Sequence, residues 1–209
     1  MLTMVELRHM GGALARVAPT AGARATLPAA PVLVSAGALS ADGLLAPMVK
    51  DADDAKRLVG FGKYQPVGNR GLSINRAHSR YAPGNMTEYI AAANRRVKLY
   101  VQIELVSALA DVENIARVEG VDGLFVGPTD LSMALGVFGG LDSPALLDAC
   151  RRVAEVAASV GKPSGIITGN TGLIQACRGY GMSMFCMGSE TRLLSSGLCG
   201  IADKLSDIR

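Results

Sequence analysis

The sequence is poor in aromatic residues and in clustered charge. Only 4% of its 209 residues are aromatic and 19% are charged, with no Trp and a net charge of +3. Nucleic-acid surfaces combine basic stripes with aromatic stacking platforms, so we expect no nucleic-acid partner. The hydrophobic content of 49% excludes a disordered chain and is enough for the core of one domain, which we place at 1–209.

Cysteine pairs and long apolar runs are also missing. Cys150, Cys177, Cys186 and Cys199 form no CxxC pair, and a chain of this size needs no disulfides, so we expect buried free thiols in a reducing compartment. The apolar stretch at 28–34 is far shorter than the roughly 20 residues of a membrane span. The first residues carry charges where a signal peptide would be apolar. We therefore expect no membrane partner and a cytoplasmic location.

Short apolar runs alternate with longer amphipathic runs along most of the chain. Their pattern predicts strands at 31–34, 43–49, 98–105, 121–127, 163–169 and 182–188, and helices at 51–64, 107–120 and 143–162. Asp51 and Ser143 are predicted N-caps, and Gly161 is a predicted C′ residue. Residues 65–85, rich in Gly, Pro, Asn and Arg, are predicted to form a long loop.

The alternation of strands and helices predicts the fold class. Near-continuous apolar strands with intervening helices indicate an α/β protein whose parallel sheet is covered on both sides. We count about six or seven βα units, whereas a closed barrel has eight. The predicted fold is therefore a TIM-type (β/α)8 barrel that is incomplete at the N-terminal side. A doubly wound sheet is the alternative, but no GxGxxG follows a first strand.

Two acidic residues follow successive predicted strands. Glu104 ends an apolar strand, and Asp130 follows the next strand through a Gly-Pro-Thr turn. Because the carboxyl ends of parallel strands share one edge, the two carboxylates should converge there, where barrel enzymes keep their active sites. Such a pair suits a hard cation, Mg²⁺ or Mn²⁺. The alternatives are an ion pair of Glu104 with a nearby Lys or Arg, and Asp130 as the N-cap of the segment at 131–136.

The same region carries a longer signature. VQIELVSALADVENIARVEGVDGLFVGPTDLSMALG, at 101–136, contains a Gln-Ile-Glu strand end and a Gly-Val-Asp-Gly strand that leads to Gly-Pro-Thr-Asp-Leu-Ser. It closely resembles the HpcH/HpaI aldolase family. A Pro-Met-Val strand leading to a Gly-Asn-Arg-Gly loop at 44–71, and the stretch at 161–194, extend the resemblance. Residues 43–209 are similar to the family, and 1–42 diverge from it.

The resemblance implies a function and a set of site residues. It implies a metal-dependent aldolase that cleaves a 4-hydroxy-2-oxo acid to pyruvate and an aldehyde through a metal-bound enolate. Glu104 and Asp130 would be the metal ligands, and Mg²⁺ or Mn²⁺ the cofactor. Gln102, Thr129 and Asp130 would contact the 2-oxo acid substrate, Thr129 through its backbone N–H. Family resemblance also implies a homo-oligomer, a hexamer in which the terminal helix packs on a neighbour.

The N-terminal part departs from the family pattern. His9, in VELRHMGG, would be the proton acceptor, although Glu6 and Arg8 stand where the family has Asp and Glu. Ser35 stands where the family has an Arg that steadies the enolate, and Ala38 where it has an Asp that supports the His. A catalytically impaired paralogue that acts as a non-catalytic subunit is therefore the alternative function.

The sequence also bears on one alternative enzyme class and on two basic residues, Arg70 and His78. A barrel that cleaves acyl-CoA thioesters, of the citrate lyase type, would need a basic cluster for the CoA phosphates, and none is visible. Arg70, in PVGNRGLS, is either a solvated loop residue or a contact to an anionic substrate or a neighbouring subunit. His78 belongs to no motif and is interpreted as a surface histidine.

Overall fold

The structure, a computed structural model, describes residues 43–75, 79 and 81–206, without the side chain of Glu190. Several sequence predictions lie outside these residues and stay predictions. They concern the strand at 31–34 and the residues Glu6, Arg8, His9, Ser35, Ala38 and His78.

Five parallel strands form one sheet in the described part of the chain. They are β1 (Gly43–Ala46), β2 (Lys98–Ile103), β3 (Gly123–Val126), β4 (Ser164–Ile167) and β5 (Met184–Cys186). Their spatial order is their order along the chain, β1-β2-β3-β4-β5. The sheet is a curled half-barrel, consistent with an incomplete TIM-like barrel. All five strands lie within the ranges predicted from the sequence, and each is shorter than predicted.

Eight helices accompany the described strands. They are α1 (Ala52–Gly62), α2 (Met86–Arg96), α3 (Val106–Ala110), α4 (Val112–Arg117), α5 (Pro128–Ala134), α6 (Pro144–Ser159), α7 (Thr171–Gly179) and α8 (Glu190–Ser206). The predicted caps are confirmed. The Asp51 side chain accepts from the Asp54 N–H, the Ser143 side chain accepts from the Leu146 N–H, and Gly161 has a φ of 68°.

The prediction of one helix at 107–120 is wrong. The helical segment is interrupted at Asp111, which lies between α3 and α4 with φ −105° and ψ 16°. Its carboxylate accepts a hydrogen bond from the Ala52 N–H at 2.7 Å and another from the Asn114 side chain at 2.7 Å. The Asp111 carboxylate therefore ties the turn between α3 and α4 to the start of α1.

The two faces of the sheet differ. In β2, Leu99, Val101 and Ile103 are fully buried and belong to the core cluster, together with apolar residues of α1, α4, α6 and α7. Tyr100 and Gln102 alternate with them and are half-buried on the opposite face, because successive side chains of a strand point to opposite sides. The next residue on that opposite face is Glu104.

The cysteine prediction is correct for three thiols and wrong for one. Cys150, Cys177 and Cys186 are buried and free, as expected. Cys199 is free but exposed, because the described side chains of α8 are all exposed. No helix in the described part of the chain combines the length and apolarity that crossing a membrane requires.

A buried lysine forms hydrogen bonds and an ion pair at the amino-terminal edge of the sheet. Lys63 follows α1, is only 3% exposed and bonds to the carbonyl oxygens of Asn94 and Val97. Its ammonium also pairs with the Asp122 carboxylate at 2.9 Å, and Asp122 in turn accepts from the Leu99 N–H at 2.8 Å. One cation thus connects α1 to the residues that precede β2 and β3.

Replacing Lys63 by Met should destabilise the protein by about 2–3 kcal/mol, because the carbonyl groups of Asn94 and Val97 lose the ammonium donor and Asp122 loses its buried cation. The free energy of unfolding from urea titration measures this. Lys56→Met is the matched control, because the Lys56–Asp53 pair is exposed and should contribute nothing measurable. Equal stability of both variants would show that the Lys63 network does not support the fold.

Candidate functional site

Glu104 lies at the carboxyl edge of the sheet, between two neighbouring strands. Strand register pairs Ile103 with Val126, so Glu104 stands beside Gly127. On the other side, the Met48 backbone N–H donates to the Glu104 carboxylate at 2.5 Å. Met48 follows β1 in the left-handed region, with φ 57°, which is uncommon for a residue with a side chain. The carboxylate after β2 thus lies between residues that follow the neighbouring strands β1 and β3.

Gly127 gives the carboxylate its space. A Cβ built on Gly127 would lie 2.5 Å from Glu104 Oε2 and would also collide with the Gln102 amide nitrogen. The Gln102 amide donates to the same Glu104 oxygen at 2.6 Å. A side chain at this position would therefore have to displace the Gln102 amide and the Glu104 carboxylate, and the Gln102 amide orients that carboxylate.

Asp130 and Thr129 lie on the next element of the same edge. Both are exposed in the first turn of α5, which begins with Pro128 at its first position. The N-cap is Gly127, so the alternative reading of Asp130 as an N-cap is wrong. Asp130 is close enough for its charge to raise the pKa of Glu104. The predicted pair of carboxylates is therefore brought together at one edge.

The pKa of Glu104 is raised from 4.5 to about 7. Burial is the main cause, since the residue is 2% exposed, and the like charge of Asp130 adds to it. Hydrogen bonds from Met48 and Gln102 to the carboxylate lower the pKa and so limit its rise. Within the described residues no Lys or Arg forms an ion pair with Glu104, so that alternative finds no support there.

The arrangement can attract a cation. A buried carboxylate that pairs with no described Lys or Arg, beside a second carboxylate, is a costly arrangement that a divalent cation would relieve. The described residues contain no cluster of three or more His, Cys, Asp or Glu side chains suited to a metal. Two carboxylates leave several coordination positions for water and substrate oxygens, as Mg²⁺ and Mn²⁺ allow.

Sequence reasoning found some of these residues and missed others. Gln102 bonds to Glu104, the charge of Asp130 acts on Glu104, and Thr129 lies in the same helical turn as Asp130. His9 lies outside the described residues, and the roles of all these residues as metal ligands or substrate contacts stay predictions. The roles of Met48 and Gly127 were not predicted. A glycine directly after an apolar strand was the available signal for Gly127. No local pattern marks Met48, whose contribution is a backbone N–H.

The chain is similar to known aldolases. The family model described as HpcH/HpaI aldolase/citrate lyase matches residues 29–196. A 5-keto-4-deoxy-D-glucarate aldolase from Klebsiella pneumoniae subsp. pneumoniae is 34% identical over 159 residues, which are 76% of this chain and 61% of that relative. The chain therefore spans about 61% of the length of the curated relatives it matches first.

Two solved structures that are similar to this chain are also proteins of the HpcH/HpaI family. The crystal structure of an HpcH/HpaI aldolase from Desulfitobacterium hafniense DCB-2 has a TM-score of 0.75 at 25% identity and covers 83% of this chain and 67% of that one. An HpcH/HpaI aldolase/citrate lyase family protein from Burkholderia cenocepacia J2315 has a TM-score of 0.74 at 27% identity, with coverage of 86% and 70%.

Glu104 should make the stability of the metal-free protein depend on pH. Because its folded-state pKa is above the unfolded value, the folded protein binds the proton more tightly. The free energy of unfolding should therefore fall as the pH rises from 4.5 to 7, by about 3 kcal/mol in total. Urea titrations in EDTA, with wild type compared with Glu104→Gln, isolate this contribution.

Asp148→Asn serves as the control, since Asp148 is an exposed carboxylate. A difference between wild type and Glu104→Gln that stays constant across this pH range would contradict the raised pKa.

Gly127→Ala should destabilise the protein by about 1–3 kcal/mol, because the new methyl group overlaps Glu104 and Gln102. Thermal or urea unfolding measures the effect. Gly179→Ala is the matched control, since nothing lies within 4 Å of its Cβ position. If the two variants unfold alike, the close approach at Gly127 is not a real constraint.

Proposed function

Because the chain belongs to the HpcH/HpaI aldolase/citrate lyase family, we propose that it is a metal-dependent aldolase that cleaves a 4-hydroxy-2-oxo acid to pyruvate and an aldehyde. The observation that carries the proposal is the carboxylate of Glu104, buried beside Asp130 without a cationic partner among the described residues. The 5-keto-4-deoxy-D-glucarate aldolases among the relatives support the reaction class.

Glu104 and Asp130 would hold the divalent cation, Mg²⁺ or Mn²⁺. When bound, the cation supplies Lewis-acid stabilisation of negative charge that develops on the 2-oxo oxygen of the substrate. The protein's part is to keep the Glu104 carboxylate deprotonated and fixed, which the donors Met48 and Gln102 support. A pKa of about 7 means that protons compete with the cation in mildly acidic solution.

Gln102 and Thr129 would position the substrate. The Gln102 amide already reaches the Glu104 carboxylate, so it lies within reach of a substrate bound there. Thr129 lies in the first turn of α5, where backbone N–H groups have no acceptor within the helix. Such an N–H can donate to the carboxylate of a 2-oxo acid, and Asp130 follows it directly.

Proton transfer would belong to His9, which lies outside the described residues. Because Ser35 and Ala38 replace an Arg and an Asp of the family pattern, a non-catalytic subunit is the second candidate function. The two candidates differ in turnover.

We further propose a homo-oligomer, a hexamer by resemblance. Helix α8 supports it, because its apolar side chains are 57–70% exposed although such groups normally pack. They are Leu193, Leu194, Leu198, Ile201 and Leu205. A second copy of the chain would cover this apolar stripe.

The proposal predicts metal binding and pyruvate formation that depend on two carboxylates. Wild type should bind Mn²⁺ and release pyruvate from a 4-hydroxy-2-oxo acid. Glu104→Gln and Asp130→Asn should each lose at least about 100-fold in Mn²⁺ affinity, because each removes a ligand. Calorimetry measures the affinity, and a coupled pyruvate assay measures turnover.

Glu113→Gln is the matched control, because Glu113 is a half-exposed carboxylate that pairs with Arg152 away from the site. Wild type that binds no Mn²⁺, or that binds it equally well after Glu104→Gln, would refute the metal site. Binding without any pyruvate would select the non-catalytic subunit.

A further inference from the structure

Arg70 is a buried cation without a counter-ion among the described residues. It lies in the loop between α1 and α2 and is only 9% exposed, so the reading as a solvated loop residue is wrong. Its guanidinium lies over the Tyr64 ring, 4.6 Å from the centroid. In the described part of the chain no carboxylate pairs with the guanidinium, and no acceptor bonds to its N–H groups.

Tyr64, directly beneath Arg70, carries a second unsatisfied donor. The residue is 2% exposed, and its hydroxyl is buried with no hydrogen-bond partner in the structure. Its ring also meets Tyr89 edge to face, with the centroids 6.5 Å apart. Burial raises the pKa of Tyr64, so the hydroxyl keeps its proton and acts as a donor at neutral pH.

The loop holds both donors in fixed positions. The backbone N–H of Arg70 donates to the backbone oxygen of Lys63 at 2.9 Å, and the backbone N–H of Gly68 donates to the backbone oxygen of Tyr64 at 3.0 Å. Gly68 is packed so tightly that a Cβ would lie 2.5 Å from Val59 O. The backbone that carries Tyr64 and Arg70 is therefore anchored to the end of α1.

The chemistry of the two donors selects an anion. A guanidinium removed from water and a hydroxyl without an acceptor each cost free energy until an acceptor arrives. A carboxylate fits best, because its planar pair of oxygens matches the guanidinium fork and leaves a lone pair for the hydroxyl. Lys63, the neighbouring buried cation, already has its charge offset by Asp122 and does not compete for the anion.

We propose that Arg70 and Tyr64 form a binding site for one carboxylate, carried by a small free acid or by an Asp or Glu side chain of a second copy of the chain. The loop is anchored at the amino-terminal edge of the sheet, since Lys63 bonds to Val97 O and Tyr64 exchanges hydrogen bonds with Asn94. The site is therefore separate from Glu104 and does not depend on the proposed function.

The test uses the full chain in EDTA, with succinate as the probe and chloride at matched ionic strength as the reference. If a free acid is the ligand, calorimetry should detect succinate binding and the midpoint of thermal unfolding should rise with succinate concentration. Arg70→Gln should weaken succinate binding at least about tenfold, and Tyr64→Phe about fivefold, since each removes donors to the carboxylate. Arg95→Gln, which removes an exposed arginine of α2, should bind like wild type.

The second arm measures the oligomeric state by sedimentation velocity. If the carboxylate belongs to a second copy, succinate has no effect, and both Arg70→Gln and Tyr64→Phe shift the protein towards smaller species while Arg95→Gln does not. Tyr64→Phe decides the outcome, because it keeps the ring and removes only the hydroxyl. The proposal is overturned if Tyr64→Phe changes neither succinate binding nor assembly, or if chloride reproduces the effect of succinate.

Discussion

Parallel strand pairing is the constraint on which the candidate site depends. In a parallel sheet all strands end at the same edge, so residues far apart in sequence meet there. β1, β2 and β3 are neighbours in chain order, and their ends bring Met48, Glu104 and Gly127 together. Asp130 follows one helical turn later. A different strand order would separate these groups and take the Met48 donor away from Glu104.

The two edges of the sheet use buried charge in opposite ways. At the amino-terminal edge, Lys63 is neutralised by Asp122 and joins the first helix to two strands. At the carboxyl edge, among the described residues, the charge of Glu104 is stabilised by hydrogen bonds from Met48 and Gln102 and opposed by Asp130. The first arrangement supports the fold. The second arrangement buries a carboxylate beside a like charge, which costs stability and which a bound cation would stabilise. The costly arrangement thus lies where we expect function.

Much of the fold and part of the site could be predicted from local patterns. Helix α1 begins after Asp51 and helix α6 after Ser143, because an N-cap acts within three residues of the sequence. The apolar runs marked all five described strands. Glu104 stood out because a carboxylate at the end of an apolar strand needs an explanation, and Asp130 followed from the next strand.

The sequence by itself thus determined the five described strands, helices α1 and α6, and which carboxylates stand at strand ends, because these depend on neighbours along the chain. Tertiary structure alone decided that the Met48 N–H holds Glu104, that Arg70 is buried on Tyr64, and that Cys199 is exposed. Each of these depends on residues distant in sequence or on how a whole helix packs. Contacts of that kind leave no periodic signal, and only the packed chain contains them.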